Sequence, residues 1–212
     1  VKKRGGEFIE SDLATAASDP ELVRKTVAEI VELSADRKSW LVFSSGVNHA
    51  YMLKDEFEAH DIDVGVVTGS DSSAVREQTI ADFKSGELKC LINVNVLTTG
   101  FDHPAVDVVC LCRATASCGL YIQMVGRGTR VAEGKTDCLV LDFGENCLRH
   151  GFIDRVKPKD KSAGAGEGTA PVKQCEACQT MCFAAALQCH VCGHDFPPPT
   201  LNHNSNSYSG AM

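Results

Sequence analysis

The feature that most limits the possible folds is a repeated alternation. Short apolar runs of strand length are separated by stretches with helical spacing. The runs are Trp40–Phe43, Ile62–Val67, Lys89–Val94, Val106–Leu111 and Cys138–Phe143. Each is nearly continuous in apolar residues, the mark of strands covered on both faces. Between them, Val47–His60 and Ser73–Phe83 carry helical spacing, and Tyr121–Gly126 begins or ends a helix. Ahead of the first run, Ser18-Asp19-Pro20-Glu21 reads as a helix start, with a capping side chain, a proline in the first turn and an acid at the N-terminus. Leu22, Val23, Val27, Ile30, Val31 and Leu33 carry that helix to about Ala35. Strands in this order imply right-handed crossovers and an α/β fold, a parallel sheet with helices on both faces. Ligands then belong beyond the carboxyl ends of the strands. The loops there are Ser44-Ser45-Gly46, Thr68-Gly69-Ser70, Asn95–Pro104 and Arg113–Gly119.

The flanks read differently. Residues 1–17 are polar and small, without a clear period, and are expected to be a linker into the domain at 18–157. Residues 158–171, rich in Gly, Ala, Lys and Ser, read as a flexible linker. A small cysteine-bearing unit follows at 172–197, and residues 198–212 read as a disordered tail. The chain opens on Val1, which reads as the cut end of a longer protein.

Charge narrows the function. A formal net charge of -7 argues against a broad basic face for nucleic acid, though not against binding through backbone N–H groups and a few placed side chains. No apolar run approaches the roughly 20 residues of a membrane helix, and no signal peptide opens the chain. Of the eleven cysteines, Cys90, Cys110, Cys112, Cys118, Cys138 and Cys147 are scattered, several of them in apolar runs, which suits a reducing cytoplasm. The other five crowd the C-terminal end.

Two stretches carry chemistry in the main domain. Tyr121–Arg130, YIQMVGRGTR, has the form Q-x-x-G-R-x-x-R. Gln123 can bond a planar ring or a phosphate oxygen, and Gly126 keeps bulk away from what docks there. Arg127 and Arg130, three apart, would share one face of a helical turn. Two adjacent forks of fixed charge suit the transition state of a transferring γ-phosphoryl group. Alone, the pair would equally fit a solvated helix end. The loop Asn95–Pro104 offers two hydroxyls, Thr98 and Thr99, with Gly100 for close approach and Asp102 as an acceptor for a ribose hydroxyl. Alone, it would equally fit a turn closed by Gly and Pro.

LVFSS, VTG, LTTGFDHP and QMVGRGTR, in this order over Trp40–Phe143, resemble the second RecA-like domain of superfamily 2 helicases. The resemblance implies that Gly100, Asp102 and Gln123 face ATP bound with Mg2+ mainly on a first RecA-like domain that this chain lacks. It makes Arg127 and Arg130 the arginine fingers. Ser44, Ser45, Thr68, Gly69, Thr98 and Thr99 would line the track of a single strand. The chain departs from many members at Val94, where they carry Thr, so a phosphate contact is not expected there. Gly134-Lys135-Thr136 imitates the end of a phosphate loop, but the required upstream glycine is replaced by Thr129 and a strand follows. Leu139–Asp142 imitates a metal-holding strand end without the following acid, so Asp142 reads as structural, as does His150.

The sharpest local signal is C-x2-C-x10-C-x2-C, at Cys175, Cys178, Cys189 and Cys192. Two such knuckles can close four thiolates around a structural Zn2+. Cys182 breaks the paired symmetry, and His190, between two ligands, is expected to point its ring away. A core ending in LDFGENCLRHG and followed by a ribbon of this kind resembles the RadD-type DNA repair helicases of bacteria. The resemblance implies the C-terminal half of an ATP-dependent helicase acting on single-stranded or branched DNA. A double-stranded DNA translocase of restriction or remodelling type shares these motifs. A non-catalytic adaptor whose zinc ribbon binds a protein partner is the reading from a different class.

Overall fold

A computed structural model describes residues 1–4, 7–96, 101–156 and 172–197. The chain divides into two compact units, residues 1–169 and 170–212.

The first unit opens with β1 (Lys3–Arg4) and β2 (Glu7–Phe8), an antiparallel pair, followed by α1 (Glu10–Ala17). The expectation of a linker over residues 1–17 is therefore corrected. Local sequence gives these residues little reason to order, but docking does. α1 lays Ala14 against Gly46, where a Cβ on the glycine would stand only 2.9 Å from the alanine methyl. Two small residues let the backbones approach that closely.

Next come α2 (Pro20–Leu33), β3 (Trp40–Ser44), α3 (Val47–Ala59), β4 (Val64–Val67), α4 (Ser73–Ser85) and β5 (Cys90–Asn93). β6 (Val108–Cys112), α5 (Cys118–Val125), β7 (Leu139–Asp142) and the short α6 (Asn146–His150) complete the unit, with a 3-10 turn at Ile153–Arg155. Asp19 starts α2 by accepting from the N–H groups of Glu21 and Leu22, both at 2.9 Å.

All five central strands are parallel, in the order β4-β5-β3-β6-β7. β3 is central, and every one of its residues is buried. The pleat sends Trp40 and Val42 to one face, against Val27 and Ile30 of α2 and Leu53 and Phe57 of α3. Leu41 and Phe43 go to the other, against Phe83 of α4 and Tyr121 and Met124 of α5. This is the RecA-like α/β layering expected from the alternation. Because the strands run one way, their carboxyl ends form a single edge.

The second unit is small. β8 (Val172–Gln174) pairs antiparallel with β9 (Met181–Phe183), and Gln188 bridges to Asp195. Its buried core consists of Cys175, Cys182 and Cys189, with Cys178, Ala186 and Phe196 packed against them. Among the described residues no helix is long and apolar enough to cross a membrane.

Candidate nucleotide and nucleic-acid edge, and a cysteine cluster

Two segments distant in sequence meet where the connection from β5 to β6 passes the end of α5. Phe101 is buried, stacked on Phe83 with ring centroids 6.3 Å apart. This fixes the backbone after β5, and Arg127 Nη1 donates to the Phe101 carbonyl oxygen at 2.6 Å. The next residue, Asp102, is exposed and accepts from Arg130 Nη1 in an ion pair. Burial and the neighbouring Arg130 charge both pull the pKa of Arg127 below the ordinary guanidinium value. Gln123 is exposed on α5. Thr98, Thr99 and Gly100 lie outside the described residues.

The geometry corrects the placement of the arginines. α5 ends at Val125, and both arginines stand in the irregular turn beyond it rather than on one helical turn. Gly128 shows why the helix stops there. A Cβ on it would lie 2.3 Å from Cys138 Sγ and 2.8 Å from Val109 Cγ2, so the turn passes flush against the sheet. Lys135 then locks the returning chain, donating to the carbonyls of Pro104 (3.1 Å), Gly128 (2.6 Å) and Arg130 (2.9 Å). The apparent phosphate-loop lysine is thus a structural strut.

Three of the hydroxyls expected along a single strand have partners within the fold. Ser44, Ser45 and Thr68 are buried. Ser45 Oγ donates to the Cys112 carbonyl at 2.9 Å, and Ser44 Oγ reaches the carbonyls of Gly46 (3.3 Å) and Asn93 (3.4 Å). Ser and Thr hydroxyls readily bond nearby backbone groups in this way. Thr68 Oγ1 is bonded to Ser70 Oγ at 2.8 Å. Gly69, Ser70, Asn95 and the first turn of α3, with Val47, Asn48 and Tyr51, are among the residues the carboxyl edge exposes. His49 is buried there, accepts from the Ser45 N–H at 3.2 Å, and is held to a pKa of about 4 by burial.

Sequence gave no warning of a third feature, the docking of Glu7 at the start of α5. Its carboxylate accepts from the N–H groups of Ala116 (2.7 Å) and Ser117 (3.0 Å) and from Thr115 Oγ1 (2.7 Å). Three residues on, Glu10 accepts from Asn95 Nδ2 at 2.8 Å, and Asn95 Oδ1 accepts from the buried Arg113. The N-terminal segment therefore straps the ends of β3, β5 and β6. Burial works against the Glu7 charge, but the N–H and hydroxyl donors outweigh it and hold the carboxyl below its ordinary 4.5. A depressed pKa contributes stability that is full above the unfolded value and is lost as pH falls through the folded one. Glu7→Gln should loosen the strap in the same way at neutral pH. Hydrogen bonds to a charged group are worth roughly 1.5–3 kcal/mol, so amide exchange over residues 7–17 should quicken about 10- to 100-fold. Sheet amides should not change. Unaltered exchange in the strap would mean that Glu7 does not hold it.

Asp142 and His150 are structural as expected. Asp142 accepts from the N–H groups of Gly144 (3.1 Å) and Cys147 (2.6 Å) and from Asn146 Nδ2 (2.9 Å). His150 stacks on Tyr121 and bonds the Thr115 carbonyl at 2.9 Å.

In the second unit, the sulfurs of Cys175, Cys178, Cys189 and Cys192 all lie within 4.8 Å of one another. The Cys175–Cys192 and Cys178–Cys189 separations are both 3.6 Å. A tetrahedral zinc with Zn–S bonds of about 2.3 Å has edges of about 3.8 Å, so the four thiols fit one ion. The two knuckles repeat each other's backbone. Gln179 and Gly193, each just past the second cysteine, have φ of 58° and 73°. Gln179 N–H donates to the Cys175 carbonyl at 2.8 Å, and Gly193 N–H to that of Cys189 at 3.0 Å. The N–H groups of Cys192 and Val191 hold the Cys189 thiol down to about 6. Cys182 and His190 stand beside the cluster, with Cys182 Sγ 3.7 Å from His190 Nδ1, so the imidazole turns inward rather than away. All eleven cysteines are free thiols.

Comparison with known proteins gives the family. Residues 22–132, more than half of the chain, match the family described as helicase conserved C-terminal domain. A protein of Schizosaccharomyces pombe named as a mitochondrial ATP-dependent helicase, irc3, is 39% identical over 119 residues, 56% of this chain and 20% of that protein. Its Saccharomyces cerevisiae namesake, IRC3, is 38% identical over 145 residues, 68% of this chain and 21% of that protein. The chain thus spans about a fifth of the length of these relatives. A solved fragment named as an HsdR subunit of a type I restriction enzyme from Vibrio vulnificus superposes with a TM-score of 0.56. It covers 68% of this chain and 30% of that one at 22% identity, a likeness of fold. On the family match, the ordered motifs and the parallel sheet together, the chain belongs to the helicase conserved C-terminal domain family, as a second RecA-like domain of superfamily 2.

Proposed function

We propose that this chain is the ATP-sensing half of a DNA helicase, working against a first RecA-like domain that holds ATP and Mg2+. One observation carries the proposal: Phe101–Asp102 and Arg127/Arg130 come from separate motifs, yet bond each other. Arg127 and Arg130 are the fingers presented to the γ-phosphate. Asp102, with Gly100 and Gln123, touches the nucleotide, and Asp102 holds Arg130 oriented until a phosphate replaces it. The bound single-stranded or branched DNA runs past Gly69, Thr98 and Thr99. Ser44, Ser45 and Thr68 shape that track through the backbone, since their hydroxyls bond within the fold. The DNA substrate and the repair role follow the RadD-type resemblance, and the free thiols suit a cytoplasmic home.

The second unit binds one structural Zn2+ through Cys175, Cys178, Cys189 and Cys192 and is the face open to a protein partner. Zinc supplies the cross-link that so small a core lacks.

The 212-residue chain alone should hydrolyse no ATP, because its sequence holds neither a phosphate loop nor the paired catalytic acids. DNA-stimulated turnover by the pure chain would overturn the division of labour proposed here. Turnover by the longer protein, lost on replacing the arginines, is the positive test.

A further inference from the structure

The cysteine unit carries a fifth thiol. Cys182, on β9, is buried, 1% exposed, while Cys192 is exposed. Cys182 Sγ lies 3.8 Å from Cys189 Sγ, which is the edge of a tetrahedral zinc–thiolate site at about 2.3 Å per bond. It also belongs to the same buried cluster as Cys175. A thiol of purely packing role has no need to stand at ligand spacing from a ligand.

We propose that Cys182 is a reserve zinc ligand, replacing Cys192 when that exposed sulfur is removed or modified. The inference rests on the zinc reading of the four-cysteine cluster. In the exchange the Zn–S bond to Cys192 breaks and one to Cys182 forms, with the Cys182 proton passing to solvent. Zinc keeps four thiolates, from Cys175, Cys178, Cys182 and Cys189, and no oxidant or reductant is consumed. The ligand most open to electrophiles is then the one that the unit can spare. Cys175, 0% exposed, is the most deeply buried of the four, and its loss takes a sulfur out of the core itself.

Full chains carrying Cys192→Ala, Cys182→Ala, both changes together, or Cys175→Ala test this by metal content. Wild type and Cys182→Ala should each hold about one Zn2+ per chain. Cys192→Ala should retain about as much, whereas the double variant and Cys175→Ala should lose it. Cadmium gives a second readout, through the ultraviolet cadmium–thiolate charge-transfer band, whose intensity follows the number of thiolates. Cys192→Ala should show the wild-type intensity. Zinc lost from Cys192→Ala alone, or a three-thiolate cadmium band in it, would overturn the reserve-ligand role. Wild type without zinc would instead overturn the zinc reading beneath it.

Discussion

Replacing Arg130 with Ala in the longer protein should cut ATP turnover by about 10³- to 10⁵-fold, the range for an arginine supplied to a transferring phosphoryl group. DNA affinity should stay near wild type. Arg127→Ala should give a loss of the same order. The two substitutions differ in their side effects, and the structure says how. Arg130 is 40% exposed and its ion pair with Asp102 is a surface one, worth roughly 0–1 kcal/mol, so its removal should barely move the melting temperature. Arg127 is half-buried and anchors the Phe101 carbonyl, so its loss should also loosen the loop after β5. Arg130→Ala is therefore the cleaner test. Lys should rescue neither, because a point charge cannot reproduce the planar fork. Wild-type turnover in both Ala variants would end the finger assignment and return the pair to an ordinary solvated turn.

The sequence reading succeeded where one residue's environment was set by its immediate neighbours. β3 to β7 appeared within two residues of the expected ends, because strands buried on both faces must be apolar along their length. The cap at Asp19 was visible for the same reason. It failed where a distant partner decides the outcome. Residues 10–17 are helical because Glu7 finds donors at residues 115–117 and Ala14 finds Gly46, neither of which leaves a local pattern. Arg127 and Arg130 looked helical from their spacing, but Gly128 must pass against Cys138, just ahead of β7, and the helix ends first. Ser44 and Ser45 were placed on a single-strand track by resemblance alone, and nothing local shows that their hydroxyls bond the carbonyls of β5 and β6. Arg113 carried no motif at all. Its position is explained only by Asn95 and the acids of the N-terminal strap.

Removing zinc should unfold residues 172–197 and leave the sheet of the first unit intact. The unit's buried core is three cysteines, and Leu187 and Val191 are 65% and 63% exposed, so apolar burial cannot offset the entropy of ordering the chain. Gln179 adds to the cost, since a non-glycine residue at φ 58° is held against its own preference. Against these stands metal binding, roughly 10–16 kcal/mol in zinc-finger peptides, which outweighs every other contact the unit makes. Chelation should therefore erase the β8–β9 amide protection in one cooperative step, while β3 and its neighbours keep theirs. Cys175→Ser should show the same loss without chelator, since Cys175 is the fully buried ligand of the four. Readdition of Zn2+ should restore the wild type but not that variant. Protection of residues 172–183 that survives chelation would show a core sufficient without metal. In that case the paired knuckles would be a folded scaffold that merely happens to crowd its thiols.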